Sequence, residues 1–163
     1  MLNTTLCYIE RGDEWLLLHR VKKVNDINHD KWIGLGGKFL PGETPEQCVL
    51  REVREETGLR LTQWRYCGVI TFHSTQWPSE QIHLYHATYF DGTPGACDEG
   101  ELVWVDKRRL QELPAGDGDT IFLTLMERGG PFFELELRYD GDRLCAAVLD
   151  GRALPLPGWE AAL

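Results

Sequence analysis

No apolar run in this 163-residue chain approaches the ~20 residues that a membrane-crossing helix needs; Trp15 to Leu18 is among the longest. The first residues show no basic start, long apolar stretch and small-residue cleavage site, so no secretory signal is expected. Positive charge is scarce as well: 17 Lys and Arg stand against 26 Asp and Glu, a net charge of -9. A nonspecific polynucleotide binder carries a basic surface, so polynucleotides and membranes are both set aside as partners. Acidity still leaves room for a small phosphate ligand, because a bound cation inverts the local electrostatics. Cysteine pairing is missing too. Cys7, Cys48, Cys67, Cys97 and Cys145 form no CxxC and are odd in number. Reduced thiols in a cytoplasmic protein are the expectation, not a disulfide framework or a zinc site. The histidines lack any HExxH-like spacing, so none is given a catalytic or metal role.

Repeats, low-complexity tracts and linkers are also absent, and the length suits one domain, at roughly 150 residues per domain. Residues 3–9 and 14–20 read as a strand hairpin about Arg11-Gly12-Asp13. Residues 21–31 are polar and read as a loop. Lys31-Trp32-Ile33-Gly34-Leu35-Gly36-Gly37-Lys38 is too glycine-rich for a stable helix and lets backbone approach something closely. The clearest helix opens at Thr44-Pro45-Glu46-Gln47, where Thr44 suits an N-cap, Pro45 the first helical position and Gln47 a capping box. It runs to Thr57, and Gly58 fits a left-handed stop. Residues 64–73, 81–90, 101–105, 132–138 and 143–149 read as strands, and 120–127 as a helix that Asp117 or Asp119 can cap.

The chemistry concentrates in residues 37–59. Glu52, Glu55 and Glu56 fall at i, i+3 and i+4, which puts three carboxylates on one helix face. Like charges at that spacing repel, and a divalent cation neutralises them directly. Carboxylate oxygens suit a hard ion such as Mg²⁺, which shares its sites with substrate phosphates. A solvated acidic face is the alternative reading. Against it stand the glycine-rich segment just upstream and the apolar side made by Val49 and Val53.

Gly37, five residues, Glu43, seven residues and then Arg51-Glu52-Val53-Arg54-Glu55-Glu56-Thr57-Gly58-Leu59 resembles the complete Nudix box, with every fixed position matched. Weaker similarity extends over most of the chain, including LLLHR, KWIGLGGK and PFFELELRYDGD, and these flanks look most like bacterial MutT-type 8-oxo-dGTP diphosphatases. The resemblance implies an α/β (α+β) Nudix fold over residues 1–163, a mixed sheet sandwiched between helices (α/β/α). It implies Mg²⁺, with Mn²⁺ as a substitute, and hydrolysis of a nucleoside diphosphate linked to another group. Carried over by position, Glu55 and Glu56 are metal ligands and catalytic, and Glu52 is a third ligand or the base. Gly37 offers a backbone carbonyl to the metal, while Glu43 and Arg51 support the loop. Glu99, preferred over Asp98 and Glu101, completes the metal set.

Arg20, Lys22, Lys23, Lys31 and Lys38 outnumber Asp26 and Asp30 in residues 19–38, and Arg20 and Lys38 are chosen as phosphate contacts. Asp119 can accept from a purine edge or cap the 120–127 helix. Ile33 stands where the animal 8-oxo-dGTPases carry an asparagine, so base reading is built differently here. Trp32, Phe72 and Trp77 are candidates to stack on a base. The expected activity is Mg²⁺-dependent pyrophosphohydrolysis of 8-oxo-dGTP or a related purine dNTP, by a monomer or homodimer. Hydrolysis of ADP-ribose-type diphosphates is the runner-up. It is disfavoured because Pro78 lies further past Gly58 than the proline usual in that branch. A non-catalytic nucleotide sensor is a third reading, against which all three box carboxylates stand.

Overall fold

Trp15, Leu16, Leu17 and Leu18 are all buried, although they lie in one strand. Alternating side chains leave a strand on opposite sides, so both of its faces must be covered. They are: Trp15 and Leu17 belong to one apolar cluster, Leu16 and Leu18 to another. The computed structural model describes residues 1–22, 30–113 and 116–163. Most of the 21–31 loop, with Lys23 and Asp26, lies outside the described residues.

The hairpin expected about Gly12 forms from β1 (Leu2–Arg11) and β2 (Glu14–His19), paired antiparallel. Among the described residues there follow β3 (Trp32–Ile33), α1 (Pro45–Thr57), β4 (Arg60–Ser74), β5 (Glu80–Asp91) and β6 (Glu101–Asp106). Then come α2 (Asp119–Glu127), β7 (Phe133–Asp140), β8 (Arg143–Leu149) and β9 (Arg152–Ala153). The sheet runs β3-β2-β1-β5-β4-β7-β8-β9, with β6 also on β2. β1 pairs parallel with β5 and β4 parallel with β7, so the sheet is mixed. Val49 and Val53 of α1 pack with Cys7, Ile9, Leu16 and Leu18. Ile121, Phe122 and Met126 of α2 pack with Tyr8, Trp15, Leu17 and Leu84. One helix therefore covers each face, the α/β/α sandwich that was expected.

α1 forms as its ends dictate. The Thr44 Oγ1 accepts from Gln47 N at 3.1 Å, Gln47 Oε1 accepts from Thr44 N at 3.0 Å, and Gly58 closes the helix at φ 78°. β4 starts at Arg60, earlier than its aromatic content suggested, because Arg60–Gln63 pair with Asp91–Tyr89 across register shifts. β3, β9 and two short 3₁₀ helices (Lys107–Glu112 and Trp159–Ala162) are too brief to carry a period.

Candidate active site

The glycine-rich segment lies along the backbone of β1. Leu35 N donates to Cys7 O at 2.8 Å, Thr5 N to Gly37 O at 2.9 Å, and Phe39 N to Asn3 O at 3.1 Å. A Cβ on Gly36 would stand 1.9 Å from Thr5 O, and one on Gly37 would stand 2.5 Å from the Glu52 carboxylate carbon. Absent side chains thus let this segment sit between β1 and α1. Gly36 N donates to Glu56 Oε1 at 2.7 Å, which ties the segment to the helix.

The Gly37 carbonyl accepts from Thr5 N at 2.9 Å and lies 3.6 Å from Cys48 Sγ. A carbonyl oxygen carries two lone pairs, so this pairing does not by itself take it from a cation. Sequence reasoning missed Gly36, whose N–H is the backbone group that reaches the acidic face.

Arg51 does more than support the loop. Its Nε and Nη2 grip both oxygens of Glu43 at 2.6 and 2.9 Å, and Nη2 also reaches Lys38 O at 3.0 Å. Its Nη1 donates to Glu52 at 2.8 Å and to the exposed Glu55 at 3.1 Å. The repulsion expected along this face is therefore relieved at two carboxylates by one guanidinium. Hydrogen bonds from Arg51 and from Leu40 N hold the Glu43 carboxyl down at about 2. Because its ordinary value is 4.5, the clamp stabilises the fold fully above that pH and is lost as pH falls through about 2. Glu43→Gln should flatten the acid limb of unfolding free energy between about pH 5 and 2. An unchanged limb would show that the clamp contributes no stability.

Glu56 is the third carboxylate, and it is only 8% exposed. Oε1 has the Gly36 N–H, while buried Oε2 has no hydrogen-bond partner. Burial pushes its carboxyl up to about 8, and the charges of Glu99 and Glu52 add to the rise. An ionised carboxylate so placed is costly without a compensating cation.

A cleft of about 660 Å³ opens over this face. Arg20, Lys38, Glu52, Glu99, Asp119 and the glycines all line it, so residues scattered in the sequence are brought together. Gly100 packs against the end of β2, where a Cβ would stand 2.0 Å from His19 O, and this sets the turn bearing Glu99. Arg20 Nη1 and Glu99 Oε2 lie 3.0 Å apart. Phe72 and Trp77 line the cleft, as does Ile33. Trp32 stacks on His19, with centroids 4.2 Å apart and planes 6° from parallel.

Asp119 is not a cap. The N-cap of α2 is Gly118, with no side-chain cap bond, and Asp119 is the first helical residue. Its Oδ2 accepts from Gly116 N at 3.3 Å, and burial pushes its carboxyl up to about 6. Glu80 was missed altogether. It lines the cleft, accepts from Thr4 Oγ1 at 2.6 Å and is raised by burial. The signal was present: Glu80, Ile82 and Leu84 alternate onto one side of β5, and an acid at an apolar register position stands out.

Among the described residues, no three His, Cys, Asp or Glu side chains already converge as a complete metal site. The residues nevertheless fit a hard cation. The donors are all oxygens, and a buried carboxylate oxygen lacks a partner. Arg51 and Arg20 now hold the neighbouring acids.

A mixed sheet between two helices, with an arginine-braced acidic helix beside a glycine-rich segment, is the arrangement of one class of hydrolases. The chain belongs to the NUDIX domain family, whose sequence profile matches residues 2–125. It is 31% identical over 133 residues to an uncharacterised Nudix hydrolase of Bacillus subtilis, covering 77% of this chain and 78% of that protein. It is 32% identical over 97 residues to an oxidized purine nucleoside triphosphate hydrolase of Danio rerio, covering 59% of this chain and 62% of that enzyme. The crystal structure of a MutT protein from Bacillus halodurans superposes with a TM-score of 0.80 at 24% identity, over 92% of this chain and 98% of that one. The last comparison establishes the fold, including strands beyond residue 125.

Proposed function

We propose that this Nudix hydrolase is a Mg²⁺-dependent pyrophosphohydrolase of purine deoxynucleoside triphosphates, with 8-oxo-dGTP the favoured substrate and a monophosphate and pyrophosphate as products. One observation carries the reading. Buried Glu56, with one oxygen unpartnered, feels the charges of Glu99 and Glu52, two acids that line the cleft with Asp119 and Phe72. Acidic and base-sized apolar surfaces are thereby joined in one space. The Danio rerio relative, named for oxidised purine triphosphates, points the same way.

Glu52, Glu55, Glu56 and Glu99 would hold the ion, which supplies Lewis acidity that lowers the pKa of water and offsets phosphate charge. Glu52 either joins that set or takes the proton of the attacking water. Arg20 and Lys38 bind the phosphates, and Arg51 with Glu43 keeps the loop on the helix. Phe72 and Trp77 hold the base, and Asp119 accepts a hydrogen bond from its edge.

Release of pyrophosphate from a panel of dNTPs, and of AMP and ribose 5-phosphate from ADP-ribose, each titrated with Mg²⁺, tests the reading. Turnover should vanish in EDTA, and Ca²⁺ should support it poorly, because looser coordination misplaces the attacking water. Full turnover in chelator would sink the metal assignment. A preference for ADP-ribose would transfer the site to the runner-up, and binding without turnover would make the protein a sensor.

Asp119→Ala should narrow the kcat/KM gap between 8-oxo-dGTP and dGTP by roughly 10-fold, the scale on which a hydrogen bond to a charged group discriminates. The EDTA sensitivity should persist. If the ratio holds at the wild-type value in a folded protein, Asp119 does not read the base.

A further inference from the structure

The family profile stops at residue 125, yet the cleft does not. β7 lies wholly beyond that point and pairs parallel with β4, opposing Leu137 to Phe72 and Tyr139 to Ser74. Strand alternation sends Phe133, Leu135 and Leu137 into the core on the α2 side, and Leu137 reaches the cleft wall.

Tyr139 continues the same face, with its ring 5.2 Å from that of Phe72. Its hydroxyl accepts from Gly118 N at 2.7 Å. Gly118 immediately precedes Asp119, and a Cβ there would stand 2.6 Å from Leu137 Cδ1 and 2.8 Å from the Tyr139 oxygen. The start of α2 is thus seated against two β7 side chains. Leu144 N reaches Asp117 Oδ2 at 3.5 Å, so β8 touches the same turn. The helix has no side-chain cap of its own, and the Tyr139 hydroxyl satisfies a backbone donor that would otherwise need one.

We propose that β7 forms a wall of the base pocket and that Tyr139 is a positioning residue that sets Asp119 through Gly118. Purine selectivity in this chain is then fixed in part by a strand beyond the residues that the family profile matches. The inference rests on the reading that Asp119 meets the base edge. A hydrogen bond to a ligand tolerates little displacement, so loss of the seat under Gly118 acts on base binding and leaves the reacting phosphates alone.

Tyr139→Phe keeps the ring on Phe72 and removes only the oxygen. It is compared with Asp119→Ala and the double variant on dGTP, 8-oxo-dGTP and dCTP, with thermal unfolding followed alongside. Tyr139→Phe should raise KM for the preferred purine about 3- to 10-fold, the span of one neutral hydrogen bond, with kcat within about twofold of wild type. The double variant should be no less selective than Asp119→Ala alone, as expected of residues acting through one another. Unchanged KM and selectivity in Tyr139→Phe, while Asp119→Ala shifts the ratio, overturn the positioning role and leave the base reading standing. A fall in kcat shared by all three nucleotides also overturns it. An unchanged ratio in Asp119→Ala removes the base reading and this inference with it. Should Tyr139→Phe fail to fold, the volume-conserving Leu137→Met alters the same seat. Raised purine KM at unchanged kcat then supports the proposal, and wild-type KM overturns it.

Discussion

Glu56→Gln and Glu52→Gln should each lower kcat by about 10²-fold or more, the order of effect attached to losing a metal-activated nucleophile or a general base. Glutamine has the shape of glutamate, so packing around α1 should survive. For Glu56 the contrast is sharper. Its carboxyl is buried, with one oxygen unpartnered, so folding without metal must either bury a charge or take up a proton, a cost that glutamine lacks. In metal-free buffer Glu56→Gln should therefore unfold at or above the wild-type temperature. Mg²⁺ should raise the melting temperature of wild type and not of the variant, because only a ligand bound to the folded state stabilises it. Glu46→Gln, exposed on the same helix and outside the motif, should change little. Equal losses at all three positions would mean that helix charge matters and the motif does not.

Gly36→Ala and Gly37→Ala should part ways, although they are neighbours. At Gly36 the added methyl would meet the backbone oxygen of Thr5 at 1.9 Å, and backbone cannot step aside without disturbing β1. Overpacking of this kind costs about 3 kcal/mol or more, or roughly 10 °C in melting temperature for a domain of this size. Activity should fall with it, since Gly36 N also holds Glu56. At Gly37 the obstacle is the end of the Glu52 side chain, which can swing away. That variant should stay folded and lose turnover. Calorimetry beside kinetics separates the two, and a fully active Gly36→Ala protein would contradict the packing described for this segment.

Legibility in the sequence followed the length scale of the interaction. α1 was readable to the residue because Thr44, Pro45, Gln47 and Gly58 act on their own neighbours. The three glutamates of one face needed only the helical period. Arg51 was foreseen as a brace for Glu43, but its second hand on Glu52 and Glu55 was not, because one guanidinium reaching three acids depends on rotamers. The direction of the Gly37 carbonyl depended on pairing with Thr5, and the fate of the Trp32 ring on His19. Both are settled by register between strands, which a local pattern does not encode. Tyr139 stands in the PFFELELRYDGD stretch, whose resemblance assigned it no role, and it matters only because β7 lands beside β4.

That placement bears on how the protein comes into being. The cleft is walled by residues drawn from Leu2 to Leu137, and its floor needs β1 beside β5 and β4 beside β7, parallel pairings that join distant parts of the chain. Such pairings close large loops and form slowly compared with helices. A ribosome must release the chain past Leu137 before this wall can dock. Until then the apolar side of β4, with Ile70 and Phe72, has no neighbour on one flank. The cleft is therefore complete only once β7 has docked, and nascent chains would depend on that strand both for function and for protection from sticking to one another.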